Sequence, residues 1–483
     1  MTDVNGPGRS EEERDPGETD APTESSGSEP TESAETGKAD ASSPATGADS
    51  AAGAEPELQQ ADAEIQEAEE RSQRGFVSTF FGFVTTANTF MVTVYSFLLA
   101  MVIGAVLIIV SDPAVRGTFT YFFSRPGDAL GASWDAVSSA YAGLFSGAIL
   151  NFETLGEYLN GETALGRVLA PISETLTFSA PLILAGLAVG LAFRAGLFNI
   201  GAQGQVIMGT VGAAVVGFGL GLPMWLHLPL ALLGGALAGA LFGAVPGALK
   251  AWTGAHEVIT SIMLNYVALA ALGWIIGTKF VKDPDPDKRY AISKAADETA
   301  ILPRLSDVLG INETGLRANV GILIAIAAGL VVAWLLSKST LGFRMRSVGL
   351  NADASRTAGM SVPNTYITTM GLAGGLAGLA GAVTVLGISP YALTHGVAGQ
   401  IGFDGITVAL LGRAKPGGVI AAGLLFGAMR AGASTMQSII PIDMVTLLQA
   451  LIVIFIAAPA LVKAMLRLKV PAGGLATSTA KGW

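Results

Sequence analysis

Three groups of polar side chains stand inside apolar runs, where hydrocarbon tolerates almost no unpaired amide or carboxylate. Between Ala192 and Gly209 the chain reads A-F-R-A-G-L-F-N-I-G-A-Q-G-Q-V-I-M-G, which sets Asn199, Gln203 and Gln205 among small residues. Further on, Glu257, Ser261 and Asn265 recur every fourth residue, a spacing that draws one polar stripe along a helix with Tyr266 beside it. Phe403, Asp404 and Thr407 form a third group in a short run punctuated by Gly402, Gly405 and Gly412. Such side chains either hydrogen-bond across packed helices or line a wet path for a polar solute, and both readings stand at this point. Covalent and metal chemistry find no support. The chain has no cysteine, and His227, His256 and His395 lack metal-ligand spacing, with Thr260 standing where an H-E-x-x-H motif needs its second histidine. No nucleophile has a base at a recognisable offset, so an intramembrane enzyme is the least supported class and neither metal nor cofactor is expected.

The elements that must hold these groups are membrane helices. The 483 residues are 51% hydrophobic and only 14% charged, the signature of a polytopic, all-α membrane protein. Apolar segments of spanning length are predicted near 88–110, 169–193, 199–220, 227–249, 257–279, 318–337, 364–388, 417–437 and 443–465. One more, at 402–412, is too short for a full crossing and reads as a half-helix or re-entrant element. There Asp404 either satisfies the backbone donors of a broken helix or meets a solute hydroxyl. The pairs Phe198-Asn199 and Phe403-Asp404 echo one another, a faint trace of two related halves. The segment from Ser111 to Arg167, with Tyr121, Phe122, Phe123, Trp134 and Tyr141, is expected outside the membrane with an interfacial helix.

Charge sets the orientation. Residues 1–75 hold 20 of the 38 acids but only 5 of the 28 bases, which leaves 18 acids and 23 bases for the remainder. The net charge of -10 therefore belongs to the tail, and it argues against attraction of that tail to nucleic acid or anionic lipid. Its Ser, Thr, Glu, Gly and Pro content predicts disorder to about Gln60, with a short charged helix or a solvated linker from Ala61 to Arg74. Three regions follow: a cytoplasmic acidic tail at 1–75, a membrane domain at 76–470 and a cytoplasmic C-terminal tail at 471–483. No cleavable signal opens the chain. With ten crossings both termini lie in the cytoplasm, and Arg71, Arg74, Arg194, Lys250, Lys338, Arg413, Lys415, Lys463, Arg467 and Lys469 all face inward. The mixed-charge loop from Lys279 to Arg317 is placed outside.

One inward loop is more than a connector. In L-G-F-R-M-R-S-V-G-L-N-A-D-A-S-R-T-A-G-M, residues 341–360, Asn351 is a suitable N-cap, Asp353 and Arg356 complement the helix dipole, and Gly359 can close the helix in a left-handed conformation. A basic connector obeying the positive-inside rule is the plain reading, and a rigid knob fitted to a cytoplasmic partner is the alternative.

Four phrases in order, G-L-F-N-I-G-A-Q-G-Q at 196–205, G-A-H-E-V-I-T-S-I-M-L-N-Y at 254–266, the stretch at 342–360 and G-F-D-G-I-T-V-A-L-L-G at 402–412, resemble the permease subunits of ATP-binding cassette importers. The likeness covers roughly residues 85–470 and is greatest to the nucleoside and simple-sugar type within the ribose and branched-chain amino-acid permeases. It implies a type II-like importer fold, a bacterial plasma-membrane location, a second permease chain that is a copy or a paralogue, a separate ATPase subunit and an extracytoplasmic solute-binding lipoprotein. It also implies that residues 342–359 are the coupling helix, with Gly342, Arg344, Arg346, Gly349, Asn351, Arg356 and Gly359 as the residues of that segment. The usual text of the motif has two consecutive alanines where Asp353-Ala354-Ser355 stands here. The sequence contains no G-x-x-x-x-G-K-[ST] loop, so the nucleotide must be hydrolysed on another chain.

The expected function is therefore the permease subunit of an ATP-driven importer for a polar solute, a nucleoside first and a ribose-like sugar as the alternative. The solute path would run past Asn199, Gln203, Gln205, Glu257, Ser261, Asn265, Tyr266, Phe403 and Asp404. Glu257 is also readable as a helix-start acid that answers the dipole, which leaves Asn265 and Tyr266, two turns deeper, as the better path residues. An ion-coupled secondary transporter would need acids to bind its cation, and Asp404 is nearly the whole mid-membrane inventory.

Overall fold

The computed structural model describes residues 89–285, 290–311, 313, 315–437 and 440–467. The acidic tail, the helix expected at 61–74 with Arg71 and Arg74, Asp287 of the mixed loop, Lys469 and the C-terminal tail lie outside the described residues.

The apolar runs fold as α-helices because a chain in hydrocarbon must satisfy its backbone groups within each segment. Among the described residues, eight helices are long and apolar enough to cross a membrane. They are α1 (Thr89–Ser111), α5 (Leu165–Arg194), α6 (Ala202–Gly219), α7 (Met224–Thr253), α8 (Glu257–Ile276), α10 (Gly321–Lys338), α13 (Val362–Gly387) and α15 (Pro416–Met436). Shorter helices fill the intervals: α2 (Pro113–Phe119), α3 (Pro126–Ala148), α4 (Phe152–Leu159), α9 (Leu305–Val308), α11 (Thr340–Leu350), α12 (Ala352–Thr357), α14 (Ile401–Leu411), α16 (Ile442–Ala457) and α17 (Pro459–Met465).

α5 and α13 form the centre, with α6 and α7 against α13 and α14 and α15 against α5. Leu182, Ile183, Leu184, Leu187 and Leu191 of α5 are fully buried, as are Met370 and Leu386 of α13. The α7–α13 contact has no room for side chains. A Cβ on Gly239 would lie 2.6 Å from the Cα of Gly378, and one on Gly243 would lie 2.8 Å from the Cα of Gly374. Lipid tails are as apolar as leucine, so close backbone approach of this kind is what holds membrane helices together. α1 contributes a different face: Leu98, Val102, Val106 and Val110, one per turn, are exposed as lipid-facing residues should be.

The helices end on two opposed faces. On one, Arg194 Nε donates to Ala414 O (2.9 Å), Gly349 lies against Arg194–Gly196, and Lys250 pairs with Glu257, so the basic loops expected together are together. On the other, the 279–317 loop is pinned to helix ends, Asp297 N donating to Gly217 O (2.8 Å) and Leu302 N to Leu386 O (3.0 Å). His227 is buried there between Thr299 Oγ1 (2.7 Å) and Val216 O (3.0 Å).

Three sequence boundaries change. The span expected at 443–465 is two helices that break at Ala458, where Pro459 has no N–H to continue the ladder. α6 begins at Ala202 and not at 199, since residues 195–201 make the turn that sets Asn199 outside the helix. The 111–167 segment carries three helices, of which α3 is no loose interfacial helix: it buries Ala129, Ser133, Ala140 and Gly143 and closes on α15, where Gly147 meets Thr435 and Gly432.

Gly239→Val is expected to destabilise the fold by at least the roughly 1–3 kcal/mol of an overpacked core, because backbone and not a movable side chain opposes it. Gly417→Val, with nothing within 4 Å, is expected to be neutral. Thermal unfolding of the two purified variants in detergent checks the contrast, and equal melting temperatures would contradict the seam.

Candidate functional site

α14 is 11 residues long, about 17 Å at 1.5 Å per residue, against a hydrocarbon core of about 30 Å. One of its ends must lie inside the membrane. Its C-terminal end meets the Arg194 face through the turn at Gly412–Lys415, so the interior end is the N-terminal one at Gln400–Phe403. The chain reaches it from α13 through residues 388–400, which are mostly irregular.

Interior backbone groups need partners, and amides from α6 supply them. Gln203 Oε1 accepts from Gly402 N (2.8 Å) while its Nε2 donates to Gly399 O (2.8 Å). The start of α6 is held the same way from α8: Asn265 Oδ1 accepts from Gly204 N (2.8 Å) and Nδ2 donates to Ile200 O (3.0 Å). Asn199 and Gln205 complete the set with a reciprocal amide pair, 2.9 Å in both directions, wholly buried. Gly204 is small for a reason, since a Cβ there would lie 3.0 Å from Asn265 Oδ1. Of the two roles open to these amides, the structure places Asn199, Gln203, Gln205 and Asn265 in hydrogen bonds between packed segments.

Glu257 is buried in the first turn of α8 and pairs with Lys250 of α7, with His256 Nδ1 4.0 Å away. Neither reading of it from sequence included that lysine. Ser261 is buried beside Gly201, and its Oγ has no hydrogen-bond partner. Tyr266, by contrast, is 67% exposed, and Phe403 is exposed as well. These two rings, with Gln203, Ile207, Asn265 and Gln400, line an open cleft of about 270 Å³ between α8 and α14.

Asp404 faces the other side of α14. Its Oδ2 meets Arg430 Nη1 of α15 at 3.3 Å, and the guanidinium lies 5.9 Å from the centre of the Phe178 ring. Sequence reasoning overlooked Arg430, although one arginine in the run G-A-M-R-A-G of a spanning helix was a sufficient signal.

The expected knob is two helices instead of one. Ser339 Oγ caps α11 at Gly342 N (2.9 Å), and Asn351 ends α11 and caps α12, accepting from Asp353 N and Ala354 N at 3.0 Å. Gly359 takes the left-handed conformation, φ 82°, as expected. Gly342 and Gly349 face inward: a Cβ on either would strike the backbone of α10 or of the Arg194–Gly196 turn. Arg344, Arg346, Asn351 and Arg356 are exposed, and Arg356 pairs with Asp353 at 3.0 Å. Phe343 and Leu350, the latter 85% exposed, add apolar surface that charge patterning had not singled out.

The family described as branched-chain amino acid transport system / permease component matches residues 172–457, more than half of the chain. A guanosine ABC transporter permease protein of Bacillus subtilis is 39% identical over 323 residues, 65% of this chain and 90% of that protein. A nucleoside ABC transporter permease protein of Lactococcus lactis is 39% identical over 313 residues, 63% of this chain and 83% of the relative. A glucose ABC transporter permease protein of Haloferax volcanii is 34% identical over 290 residues, 59% and 75% of the two chains. No solved structure matches.

Asn265→Ala is expected to leave Gly204 N and Ile200 O unpaired in the membrane, at roughly 1–3 kcal/mol for each buried group. Tyr266→Ala, one residue on and exposed, is expected to leave the melting temperature within a degree or two, as surface substitutions usually do. Thermal unfolding in detergent separates them, and an unaffected Asn265→Ala would remove the bracing role.

Proposed function

This chain belongs to the family of branched-chain amino acid transport system permease components, and from that membership we propose that it is the membrane subunit of an ATP-driven nucleoside importer in a bacterial plasma membrane. The observation that carries the reading is the short helix α14, whose braced interior end opens onto a cleft lined by two exposed aromatic rings and amides. Flat rings suit a flat base, and the Gln400 amide suits a ribose hydroxyl. The guanosine and nucleoside permeases among its relatives support the same solute class. A free sugar is the second reading, favoured by the likeness to a glucose permease.

The path would run past Tyr266 and Phe403 on the face where a second permease chain, copy or paralogue, completes it, and past Asp404 on the other side of α14. Asn199, Gln203, Gln205, Glu257, Ser261 and Asn265 would shape that path from behind. α8 presents Met263, Tyr266, Val267 and Trp274 on an exposed face, which supports a partner there. ATP would be hydrolysed on a separate subunit docked from the cytoplasm on α11 and α12, which expose Arg344, Arg346, Leu350 and Arg356. With that docking, both chain ends would lie in the cytoplasm. A solute-binding lipoprotein would deliver the solute at the opposite face. An ion-coupled mechanism is less well supported, because the cation position beside Asp404 is held by Arg430.

Competition uptake with nucleosides, free sugars and amino acids, in vesicles carrying the whole transporter, tests the solute. Nucleosides are expected to compete best, and competition by sugars alone would transfer the assignment to them. Arg344→Glu with Arg346→Glu is expected to abolish uptake while the chain remains inserted, and undiminished uptake would count against docking there. Tyr266→Leu with Phe403→Leu is expected to lower uptake about tenfold, a loss of about 1.4 kcal/mol, while the ATPase still copurifies.

A further inference from the structure

The two sides of α14 differ in chemistry. Toward α8, the amides of Gln203 and Asn265 are already committed to backbone groups. Toward α15 and α16 lies a larger cavity of about 530 Å³, within the roughly 300–1,000 Å³ range of small-molecule sites. Asp404, Arg430, Gln400 and Gln449 stand on its wall. Among the described residues most of their hydrogen-bonding capacity is unspent: Asp404 Oδ1 and the Gln400 side-chain amide have no partner there, Arg430 donates only through Nη1, and Gln449 uses only Nε2, to Met429 O at 3.3 Å. Leu182, Phe426 and Val453 supply apolar walls.

The Asp404–Arg430 pair is a single contact of 3.3 Å, against about 2.7–2.9 Å for a strong charge-assisted bond, and its side chains are 38% and 37% exposed. Carboxylate and guanidinium thus sit side by side, one accepting only and the other donating only. A sugar hydroxyl, donor and acceptor at once, would not distinguish them. A base edge with donors next to an acceptor would, and the lactam edge of a 6-oxopurine offers N–H donors to a carboxylate and a carbonyl to a guanidinium.

We propose that Asp404 and Arg430, with Gln400 and Gln449, form a subsite that reads the hydrogen-bonding edge of the transported base and prefers 6-oxopurine nucleosides. The assignment rests on the importer reading above and adds the base specificity to it. Gln400 lines both cavities, so it stands where a nucleoside passing from the rings on the α8 side to the Asp404–Arg430 pair would meet it.

The test is inhibition of labelled guanosine uptake by guanosine, purine riboside, which lacks the 6-oxo group and its N–H donors, and free ribose. The whole transporter is used, with one and the same solute-binding protein for every variant. In the wild type, guanosine is expected to compete about ten- to hundredfold better than purine riboside. Asp404→Asn and Arg430→Gln are each expected to bring that ratio toward one, and Gln400→Leu to lower it in the same direction. Gln400→Leu removes no hydrogen bond of the fold, so it keeps the test decisive if the ion-pair variants fail to accumulate in the membrane. Equal competition by guanosine and purine riboside in the wild type would overturn the subsite and leave the nucleoside importer standing. A uniform loss for all competitors with an unchanged ratio would make the pair structural only. A wild-type transporter that takes up no nucleoside would remove the nucleoside reading and this subsite together.

Discussion

A helix that begins inside a bilayer leaves donors where water cannot reach them, and the grip of Gln203 on Gly399 and Gly402 answers that constraint. Everything at the candidate site depends on it. If α14 could not start at mid-depth, Phe403 and Asp404 would not face a cleft and the two cavities would not share Gln400 as a wall. The bracing is stepwise: Asn265 of α8 holds the start of α6, and α6 in turn carries the Gln203 that holds α14. Each amide is spent on a backbone pair, which is why these side chains can be buried in an apolar setting without penalty.

The glycine seam between α7 and α13 serves the same end from a distance. Backbone contact at Gly239–Gly378 and Gly243–Gly374 brings these helices close, and α13 then delivers the irregular 388–400 segment over the centre of the molecule. Larger side chains would separate the helices and move that segment away from Gln203.

Much of this was legible in the sequence. Apolar length gave the spans, and the short run at 402–412 announced a half-helix because its length fell below the thickness it would have to cross. The Asn351 cap and the left-handed Gly359 marked α12. The sequence could not say whether Asn199 and Gln205 face a solute or each other, because residue type fixes what an amide can bond and not which partner comes within 3 Å. Arg430 could have been singled out from its place in a spanning run, but its pairing with Asp404, 26 residues away in sequence, was not legible. The knob's second helix was hidden because Asn351 both ends α11 and begins α12, and a single cap signal does not announce two helices.

The positions of Gly196 and Gly349 bear on how the two ends of the molecule communicate. Gly349, near the end of α11, lies directly on the Arg194–Gly196 turn. That turn continues through Ile200, which Asn265 holds, into the first turn of α6 and Gln203. The surface proposed to receive an ATPase is therefore joined, by close backbone contact and then by two side-chain amides, to the interior end of α14. Side chains at 196 and 349 would separate these parts. Displacement of α11 has little soft material to be absorbed in before it reaches α6, because interiors packed at crystal-like density transmit strain. The half-helix is then the element that such a displacement would shift relative to α8, opening or closing the cleft at Tyr266 and Phe403. The importer proposed above, driven from outside its own chain, would require a solute-facing element held by rigid contacts from the driven face, and α14 is held by contacts of that kind.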